Sequence, residues 1–356
     1  MVSRTRDKAL TVSLVTGGSG YFGVLMVERL RRAGHTVRVL DLIDVDERDP
    51  SVEFFQGDIR DPEAVHLAVA GVDLIFHNVA QVPLAKDPEL LSTVNIDGTR
   101  NLLAAALEHG VRKVVHTSSS AVFGIPASNP VMPDTAPTPV EAYGRAKTEA
   151  EGLCQAFIAQ GLDVTIVRPR TILGHGRLGI FGILFDWIAD GADVFVLGRG
   201  DNTYQFVHAD DLAEVCLLAS QSEGPMIINA GTDRFDTMRN TLEAVCEHAG
   251  TGSRVKSLPA RPASLAMHAA SALHLAPFAP YHWIMYSKSL WFDIEHAKRD
   301  LGWSPKYSNA EAMIDSYDWF LAHRADASTG PKSHHRSSAR QGALRVLKAG
   351  TRLIPG

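Results

Sequence analysis

Residues 16–23, TGGSGYFG, contain the glycine pattern that best predicts the fold of this chain. It follows a short apolar run rich in β-branched residues, 10–15, and it precedes a segment with helical spacing. Strand, glycine turn and helix in this order are typical of a dinucleotide-binding loop, which brings a helix N-terminus to a pyrophosphate. Gly17 allows the tight turn, Gly20 lets the pyrophosphate approach the backbone, and Gly23 lets the helix pack close to the strand.

An acidic residue stands where the adenosine ribose of such a cofactor would lie. Residues 37–40 are predicted to form the second strand, and Asp41 at its end follows Gly23 by 18 residues (41 − 23). A carboxylate there accepts hydrogen bonds from the ribose hydroxyls and repels a 2′-phosphate. The pattern therefore predicts NAD as the cofactor in preference to NADP.

Strand and helix patterns then alternate as far as Pro169. Further strands are predicted at 52–58, 72–78, 114–120 and 164–169, with helices beginning near 61, 94 and 142. This alternation predicts an α/β fold, a doubly wound parallel sheet of Rossmann type with helices on both faces. Ligands of such sheets bind beyond the carboxyl ends of the strands, where Asp41, Asp58, Asn78 and the serines at 118–120 are expected.

The regular alternation breaks after Pro169, which predicts a second, smaller lobe. We predict an NAD-binding domain over 1–170 to which 207–222 return, and an interleaved C-terminal α/β substrate lobe over 171–206 and 223–324. The basic tail, 325–356, is predicted to be disordered and solvated. A basic amphipathic helix that touches anionic lipid is the alternative for this tail.

Composition excludes several function classes. The 356 residues are 45% hydrophobic and 21% charged with a net charge of −5, which fits a globular protein and gives no basic footprint for nucleic acid. Three cysteines without CxxC spacing predict a reducing compartment and no metal site. No apolar signal segment precedes the first strand and no apolar run reaches membrane-spanning length, so a cytoplasmic protein is expected.

Tyr143 and Lys147 lie four residues apart (147 − 143), on one face of a predicted helix. A phenol is a poor base at neutral pH, and a nearby ammonium group stabilises the phenolate. The tyrosine can then remove a hydroxyl proton as hydride leaves the same carbon for the nicotinamide, or return it in the reverse reaction. A surface helix pair is the alternative, but the glycine loop, Asp41 and the serine-bearing strand end favour chemistry.

Nine motifs are spread along the chain: TGGSGYFG (16–23), GDIRD (57–61), HNVA (77–80), NIDGTRNLL (95–103), TSSSAVFG (117–124), YGRAK (143–147), RP (168–169), FVHADDL (206–212) and DIEHAKRDLGW (293–303). Together they resemble the extended short-chain dehydrogenase/reductases, also called the NAD-dependent epimerase/dehydratase family. The resemblance covers residues 10–324 and is strongest before Pro169.

The resemblance implies roles for individual residues. Asp58 would lie near the adenine, Val79 and Ala80 near the adenosine half, and Lys147 would also bond the nicotinamide ribose. Ser119 would orient the substrate oxygen, with Ser118 and Ser120 as nearby competitors. Further cofactor contacts are implied for Tyr21, Phe22, Ile59, Asn95, Tyr143 and Arg168.

The substrate class is less sharply marked. Family members that act on nucleotide-diphosphate sugars usually carry an asparagine and two arginines, and here the corresponding positions hold Thr171, Tyr204 and Trp283. An aromatic ring cannot replace the bidentate fork of arginine. Four other cations are candidates to substitute for these arginines: Arg170, Arg177, Arg199 and Lys288.

An apolar and aromatic stretch at 263–286 is the other clue to the substrate. It is interpreted as core of the small lobe, as an apolar substrate wall, or as a weak membrane-surface contact. A similar insertion is found in the 3β-hydroxysteroid dehydrogenase-like branch, which favours a hydrophobic secondary alcohol or ketone as the small-molecule substrate. A nucleotide-sugar epimerase or dehydratase and a non-catalytic NAD-binding scaffold are the alternatives. Dimerisation is common in the family, so a homodimer is a further expectation.

Overall fold

A parallel sheet of seven strands forms the centre of the protein. The structure is a computed structural model, which describes residues 11–45, 48–81, 87–176, 180–273 and 287–324. The strands of this sheet are β1 (Val12–Thr16), β2 (Thr36–Asp41), β3 (Glu53–Gln56), β4 (Leu74–His77), β5 (Lys113–Thr117), β6 (Val164–Pro169) and β11 (Met226–Ala230). They lie in the order β3-β2-β1-β4-β5-β6-β11, all parallel. The predicted doubly wound Rossmann-type sheet is confirmed.

Helices cover both faces of this sheet. They are α1 (Tyr21–Arg32), α2 (Pro62–Val69), α3 (Pro88–Ser92), α4 (Gly98–Glu108, after a π-helical turn at Thr93–Asp97), α5 (Ala142–Ile158), α7 (Ala209–Gln221) and α10 (Glu295–Leu301). Leu30 of α1 and Leu212 of α7 are buried together on one face. Val65 of α2, Leu102 of α4 and Cys154 of α5 are buried on the other. Apolar residues at helical spacing thus supply one core on each face of the sheet.

A second lobe is built around its own core. Its strands are β7 (Thr171–Leu173), β8 (Val194–Leu197), β9 (Thr203–Tyr204), β10 (Phe206–His208), β12 (Asp236–Thr237) and β13 (Val255–Leu258), which form three two-stranded sheets. Its helices are α6 (Phe181–Ala189), α8 (Met238–Ala249), α9 (Ala260–Ala272) and α11 (Asn309–Ala322). Phe185, Val194, Val245 and Tyr317 meet in this core. The lobe is smaller than the first and interleaved with it in sequence.

The predicted boundary of the second lobe at residue 223 is wrong for two segments. Strand β11 pairs with β6, from Met226 opposite Thr165 onwards, and is the edge strand of the main sheet. Residues 290–303 bury Ala297 and Trp303 in the core that α1 and α7 share. Both segments are short, and their burial comes from contacts with distant parts of the chain, which local periodicity does not report.

Helix α9 begins the apolar stretch that the sequence marked at 263–286. The interpretation as lobe core is wrong for residues 263–269, since none of them is buried and Leu265 is 70% exposed. Residues 274–286, with Trp283, lie outside the described residues, as do Arg177 and the tail at 325–356. Within the described ranges, no helix is long and apolar enough to cross a membrane.

Candidate active site

The glycine loop between β1 and α1 requires glycine at particular positions. Gly17 has a φ of +70°, in the left-handed region that favours this residue. A Cβ on Gly23 would collide with the Gly17 carbonyl oxygen and lie 2.6 Å from the Gly18 Cα. A Cβ on Gly20 would lie 3.2 Å from the Gly17 carbonyl oxygen. No other described atom beyond the chain neighbours lies within 4 Å of that position. With only this one contact beside it, Gly20 is compatible with the close approach of a phosphate to the backbone.

The N-terminus of α1 carries no side-chain cap and no acidic residue in its first turn. By contrast, Asp61 caps α2, Glu141 caps α5 and His208 caps α7. An uncapped helix N-terminus with its positive dipole end suits an anion such as a diphosphate. Tyr21 and Phe22 bury their side chains at the start of α1, so a ligand beside the loop would meet their backbone.

Asp41 lies at the carboxyl end of β2, facing the glycine loop. Its Oδ2 accepts a hydrogen bond of 3.0 Å from Ser19 N, and its Oδ1 accepts one of 2.7 Å from Leu42 N. Burial raises the pKa of Asp41, and these backbone hydrogen bonds oppose the rise. The carboxylate is therefore held next to the glycine loop.

Asp58 and Ile59 follow β3 at the same edge of the sheet. Asp58 accepts hydrogen bonds from Arg60 (2.5 Å from Nη2 to Oδ2), and this side-chain bond lowers the pKa of Asp58. Ile59 is buried against Gly98, where a Cβ would lie 2.6 Å from the Ile59 Cγ2. Asp58 thus lies at the predicted carboxyl edge of the sheet with its carboxylate bound by Arg60. Ile59 packs beside it against Gly98.

Asn95 holds the segment that follows β4. Its side chain accepts a hydrogen bond from Gln81 N (2.8 Å) and donates one to Gln81 O (3.0 Å). In the same segment, Val79 N lies 3.0 Å from the position of a Cβ on Gly17, and Ala80 follows it. Asn95 therefore has a positioning role, because its amide oxygen and nitrogen both fix the chain that carries Val79 and Ala80 past the glycine loop.

Lys147 reaches from α5 to the carboxyl end of β5. Its Nζ donates a hydrogen bond of 2.9 Å to the Thr117 carbonyl, and burial lowers the pKa of Lys147 to about 8. The imidazoles of His77 and His116 lie side by side beneath it, with ring centroids 5.2 Å apart. Burial lowers the pKa of both, to about 3 for His77, so neither adds positive charge next to Lys147 at neutral pH.

The structure distinguishes among the serines that follow β5. Ser118 is buried and donates a hydrogen bond of 2.5 Å to Glu151, and Ser120 is buried as well. Ser119 is partly exposed and accepts a hydrogen bond of 3.2 Å from Ala121 N. Its hydroxyl can still donate to a substrate oxygen, which favours Ser119 over its two neighbours.

Tyr143 lies in the first turn of α5, a helix that packs on the turn after Ser119. Glu141 caps the helix by accepting hydrogen bonds from Tyr143 N (2.8 Å) and Gly144 N (2.6 Å). A Cβ on Gly144 would collide with the Ala121 carbonyl oxygen. Gly144 therefore permits the close packing of α5 on the 3-10 turn at Ser120–Phe123. The sequence analysis missed Gly144, although a glycine beside the proposed catalytic tyrosine was a usable signal.

Arg168, which the resemblance implied as a cofactor contact, forms a buried ion pair instead. Its Nη2 lies 2.6 Å from Glu151 Oε2, and its Nη1 donates to the Pro133 carbonyl at 2.9 Å. The Arg168 and Glu151 side chains are only 4% and 6% exposed. The sequence analysis missed Glu151, because a carboxylate four residues after Lys147 (151 − 147) is an ordinary helical spacing.

Two hydroxyl side chains, Thr171 and Tyr204, stand where the resemblance predicts the asparagine and an arginine of nucleotide-sugar enzymes. Thr171 Oγ1 and Tyr204 OH share a hydrogen bond of 3.0 Å. Of the substitute cations, Arg199 and Lys288 are exposed and Arg170 is fully buried. Only Arg170 among these three lies against Tyr204, with its guanidinium carbon 4.6 Å from the ring centroid.

One group of metal-ligating side chains occurs in the part of the chain that the structure describes, at His175, His208 and Asp315. His208 Nδ1 accepts a hydrogen bond from Asp210 N (3.1 Å), so the neutral ring carries its proton on Nε2. That nitrogen lies 3.1 Å from Asp315 Oδ2 and donates to it. The group is therefore satisfied as a hydrogen-bonded cluster, since a metal at Nε2 would require removal of this proton.

Comparison with known proteins gives the family. Residues 13–231 match the model of the NAD dependent epimerase/dehydratase family. The chain is 49% identical to "Uncharacterized protein y4nG" of Sinorhizobium fredii, over 98% of this chain and 88% of that protein. It is 28% identical to a UDP-glucose 4-epimerase of Mycolicibacterium smegmatis, over 86% of this chain and 98% of that protein. It is also 28% identical to a 3 beta-hydroxysteroid dehydrogenase/Delta 5-->4-isomerase of Mycobacterium tuberculosis, over 90% and 95% respectively.

A solved structure supports the same assignment. The UDP-glucose 4-epimerase of Thermus thermophilus, in complex with NAD, is 27% identical and superposes with a TM-score of 0.71. The match covers 87% of this chain and 99% of that one. The glycine loop, the uncapped α1 and Asp41 fit the same cofactor.

Proposed function

The chain belongs to the NAD-dependent epimerase/dehydratase family of extended short-chain dehydrogenase/reductases, and from that premise we propose that it interconverts a secondary alcohol and a ketone on a largely apolar substrate. Thr171 and Tyr204, which share a hydrogen bond, carry this proposal, because the resemblance aligns them with the asparagine and an arginine that nucleotide-sugar enzymes of the family usually have. Apolar side chains close to the catalytic segment support it. Ile125 and Val140 are each 45% exposed. Val140 packs beside Gly124, where a Cβ would lie 2.8 Å from the Val140 Cγ1 atom.

The proposed site assigns one task to each polar side chain. Tyr143, in its phenolate form, takes the proton of the substrate hydroxyl and becomes the neutral phenol. Lys147 supplies the positive charge that stabilises the phenolate before this transfer. Ser119 donates a hydrogen bond to the substrate oxygen and orients it. NAD, when bound, accepts the hydride from the carbinol carbon. In the reverse direction Tyr143 returns the proton to the ketone oxygen.

The same assignment places the cofactor along the carboxyl edge of the sheet. The glycine loop and the N-terminus of α1 would hold the pyrophosphate, and Asp41 the adenosine ribose. Asp58 and the chain at 79–80 would line the adenine side, and Lys147 would also bond the nicotinamide ribose.

A nucleotide-sugar epimerase is the second candidate, because identity to the mycobacterial epimerase equals that to the steroid dehydrogenase. Epimerisation uses the same proton transfer at Tyr143 but restores the oxidised cofactor, so it gives no net NADH. A scaffold without catalysis has no need of the Tyr143, Lys147 and Ser119 set.

Thermal melting of the protein with NAD present tests the choice of substrate. UDP- and dTDP-sugars are compared with hydroxysteroids and other apolar alcohols, and each stabilising compound is then assayed for NADH. Stabilisation by an apolar alcohol with NADH formation is the expected result. Stabilisation by a nucleotide sugar alone would replace the proposal with the epimerase function.

A further inference from the structure

Arg170 is a fully buried cation whose guanidinium group has no hydrogen-bond partner among the described residues. Its exposed fraction is 0%, and none of its Nε, Nη1 and Nη2 atoms is bonded within the described part of the chain. A guanidinium group has five N–H donors and keeps its positive charge in proteins. Burial of such a group without an acceptor is costly, so the side chain calls for an explanation.

The other buried lysine and arginine side chains of the described residues all have hydrogen-bond partners. Lys113 Nζ binds Asp163 (3.0 Å) and the Gly224 carbonyl (2.9 Å). Lys147 binds the Thr117 carbonyl, and Arg168 binds Glu151. Arg170 differs from these three, and it follows Arg168 by only two residues. Among these four cations, only Arg170 lacks acceptors for its N–H donors.

Aromatic rings hold the Arg170 side chain. Its guanidinium carbon lies 4.6 Å from the ring centroid of Tyr204 and 5.5 Å from that of Phe292. Phe292 in turn packs edge-on against Phe123, with centroids 5.6 Å apart. Rings attract a cation through their faces, but they provide no acceptor for N–H donors in the guanidinium plane. The rings thus position the guanidinium group, and its N–H donors still lack an acceptor.

The position of Arg170 is at the ligand-binding edge of the sheet. It follows β6 directly, and its N–H donates to the Ala230 carbonyl at the end of β11 (2.8 Å). Phe123, one ring away through Phe292, ends the turn that begins after Ser119. Arg170 therefore lies in the row of residues that extends from the proposed catalytic serine towards Tyr204.

We propose that Arg170 binds an oxyanion group of the substrate, a carboxylate or a phosphate, through the bidentate fork of its guanidinium. This fork matches two oxygens of one anionic group, and such charged pairs are the stronger class of hydrogen bond. The inference rests on the proposed function in that the anion belongs to the substrate of the same site. The substrate is then an alcohol with an apolar body and one acidic group.

The test compares Arg170→Met with Arg168→Met in full-length protein saturated with NAD. Melting temperatures are measured at constant ionic strength in chloride, and then with inorganic phosphate, UDP, 2-naphthoate or the uncharged methyl 2-naphthoate. Removal of an unpaired buried charge should keep or raise the melting temperature of Arg170→Met in chloride. Arg168→Met should melt lower, because it leaves Glu151 buried without its partner.

Wild-type protein should be stabilised by at least one of the three anions but not by the ester, and Arg170→Met should bind that anion about tenfold more weakly or worse. Stabilisation by 2-naphthoate identifies a carboxylate, and stabilisation by phosphate or UDP identifies a phosphate. A UDP-only response upholds the role of Arg170 while it overturns the apolar substrate. The proposal fails if no anion stabilises the wild type, if Arg170→Met responds equally, or if Arg170→Met melts lower in chloride as a structural arginine would.

Discussion

Lys147 Nζ and the Thr117 carbonyl oxygen are joined by a hydrogen bond of 2.9 Å, which ties helix α5 to the end of strand β5. Thr117 precedes Ser119 by two residues, and Lys147 follows Tyr143 by four. Nearer the start of the same helix, Gly144 packs on Ala121. The two contacts lie on either side of Ser119 and fix its segment against the helix that carries Tyr143.

Gly144→Ala should lower activity strongly with little change in NAD affinity. Its methyl group would collide with the Ala121 carbonyl and push the Ser119 segment away from Tyr143, and small displacements of reacting groups cost about 100-fold in rate. Gly152→Ala is the matched control on the same helix, since no described atom beyond its chain neighbours and the adjacent helix backbone lies within 4 Å of its Cβ position. The control should keep full activity and melt slightly higher. Equal activity of both variants would remove Gly144 from the account.

Tyr143→Phe should reduce turnover by about 100- to 10,000-fold, the usual contribution of a general acid or base. NAD affinity, measured by titration of the purified protein, should stay close to that of the wild type. Tyr317→Phe, in the core of the second lobe, is the control for loss of a phenol hydroxyl away from the proposed site. Unchanged turnover in Tyr143→Phe would exclude it as the proton acceptor.

Ser119→Ala and Ser118→Ala should separate catalysis from stability. Loss of the Ser119 hydroxyl should reduce kcat, because the substrate oxygen loses a hydrogen bond, while the melting temperature changes little. Loss of the buried Ser118 hydroxyl should lower the melting temperature, since Glu151 loses a donor at 2.5 Å. The reverse pattern would transfer the catalytic role to Ser118.

Lys147→Met tests whether burial lowers the pKa of Lys147. The pKa of Lys147 is about 8 in the folded protein against 10.5 for an exposed lysine, so the unfolded chain binds more protons between these pH values. The contribution of Lys147 to folding stability therefore rises with pH in this window, and below it the buried ammonium costs roughly 3 kcal/mol. In ligand-free protein the variant should melt above the wild type at neutral pH, and the gap should narrow from pH 8 upwards. A gap that stays constant in melts across this range would contradict the lowered pKa.

Asp41→Ala should relax the preference for NAD over NADP. Removal of the carboxylate ends its repulsion of a 2′-phosphate and also its hydrogen bonds to the ribose. The ratio of kcat/KM for the two cofactors should fall mainly through weaker use of NAD. Asp44→Ala, three residues along, serves as the control. A wild-type protein that already prefers NADP would show that the ribose assignment to Asp41 is wrong.

Local pattern was enough to predict the elements that form the first half of the sheet. The strands at residues 12–16 and 36–41 and the helix capped by Asp61 carry their signals within a few residues. The glycine loop could be assigned for the same reason, because steric exclusion at Gly17 and Gly23 leaves a fixed sequence signature.

Contacts between distant residues could not be predicted in this way. Strand β11 is defined by its pairing with β6, and the role of Arg168 by Glu151, 17 residues earlier (168 − 151). The lack of a partner at Arg170 is likewise a property of the folded chain. The cytoplasmic location, the homodimer and the membrane contact through 263–286 or the basic tail stay predictions.

The most direct test of the central claim is the stoichiometry of NADH formed per molecule of substrate converted. The protein is incubated with excess NAD and the apolar alcohol that stabilises it best, and nicotinamide absorbance is followed beside chromatography of the product. The account predicts one NADH for each ketone formed, and formation of both about 100- to 10,000-fold slower with Tyr143→Phe. Conversion of a nucleotide sugar to its epimer with no net NADH would contradict it.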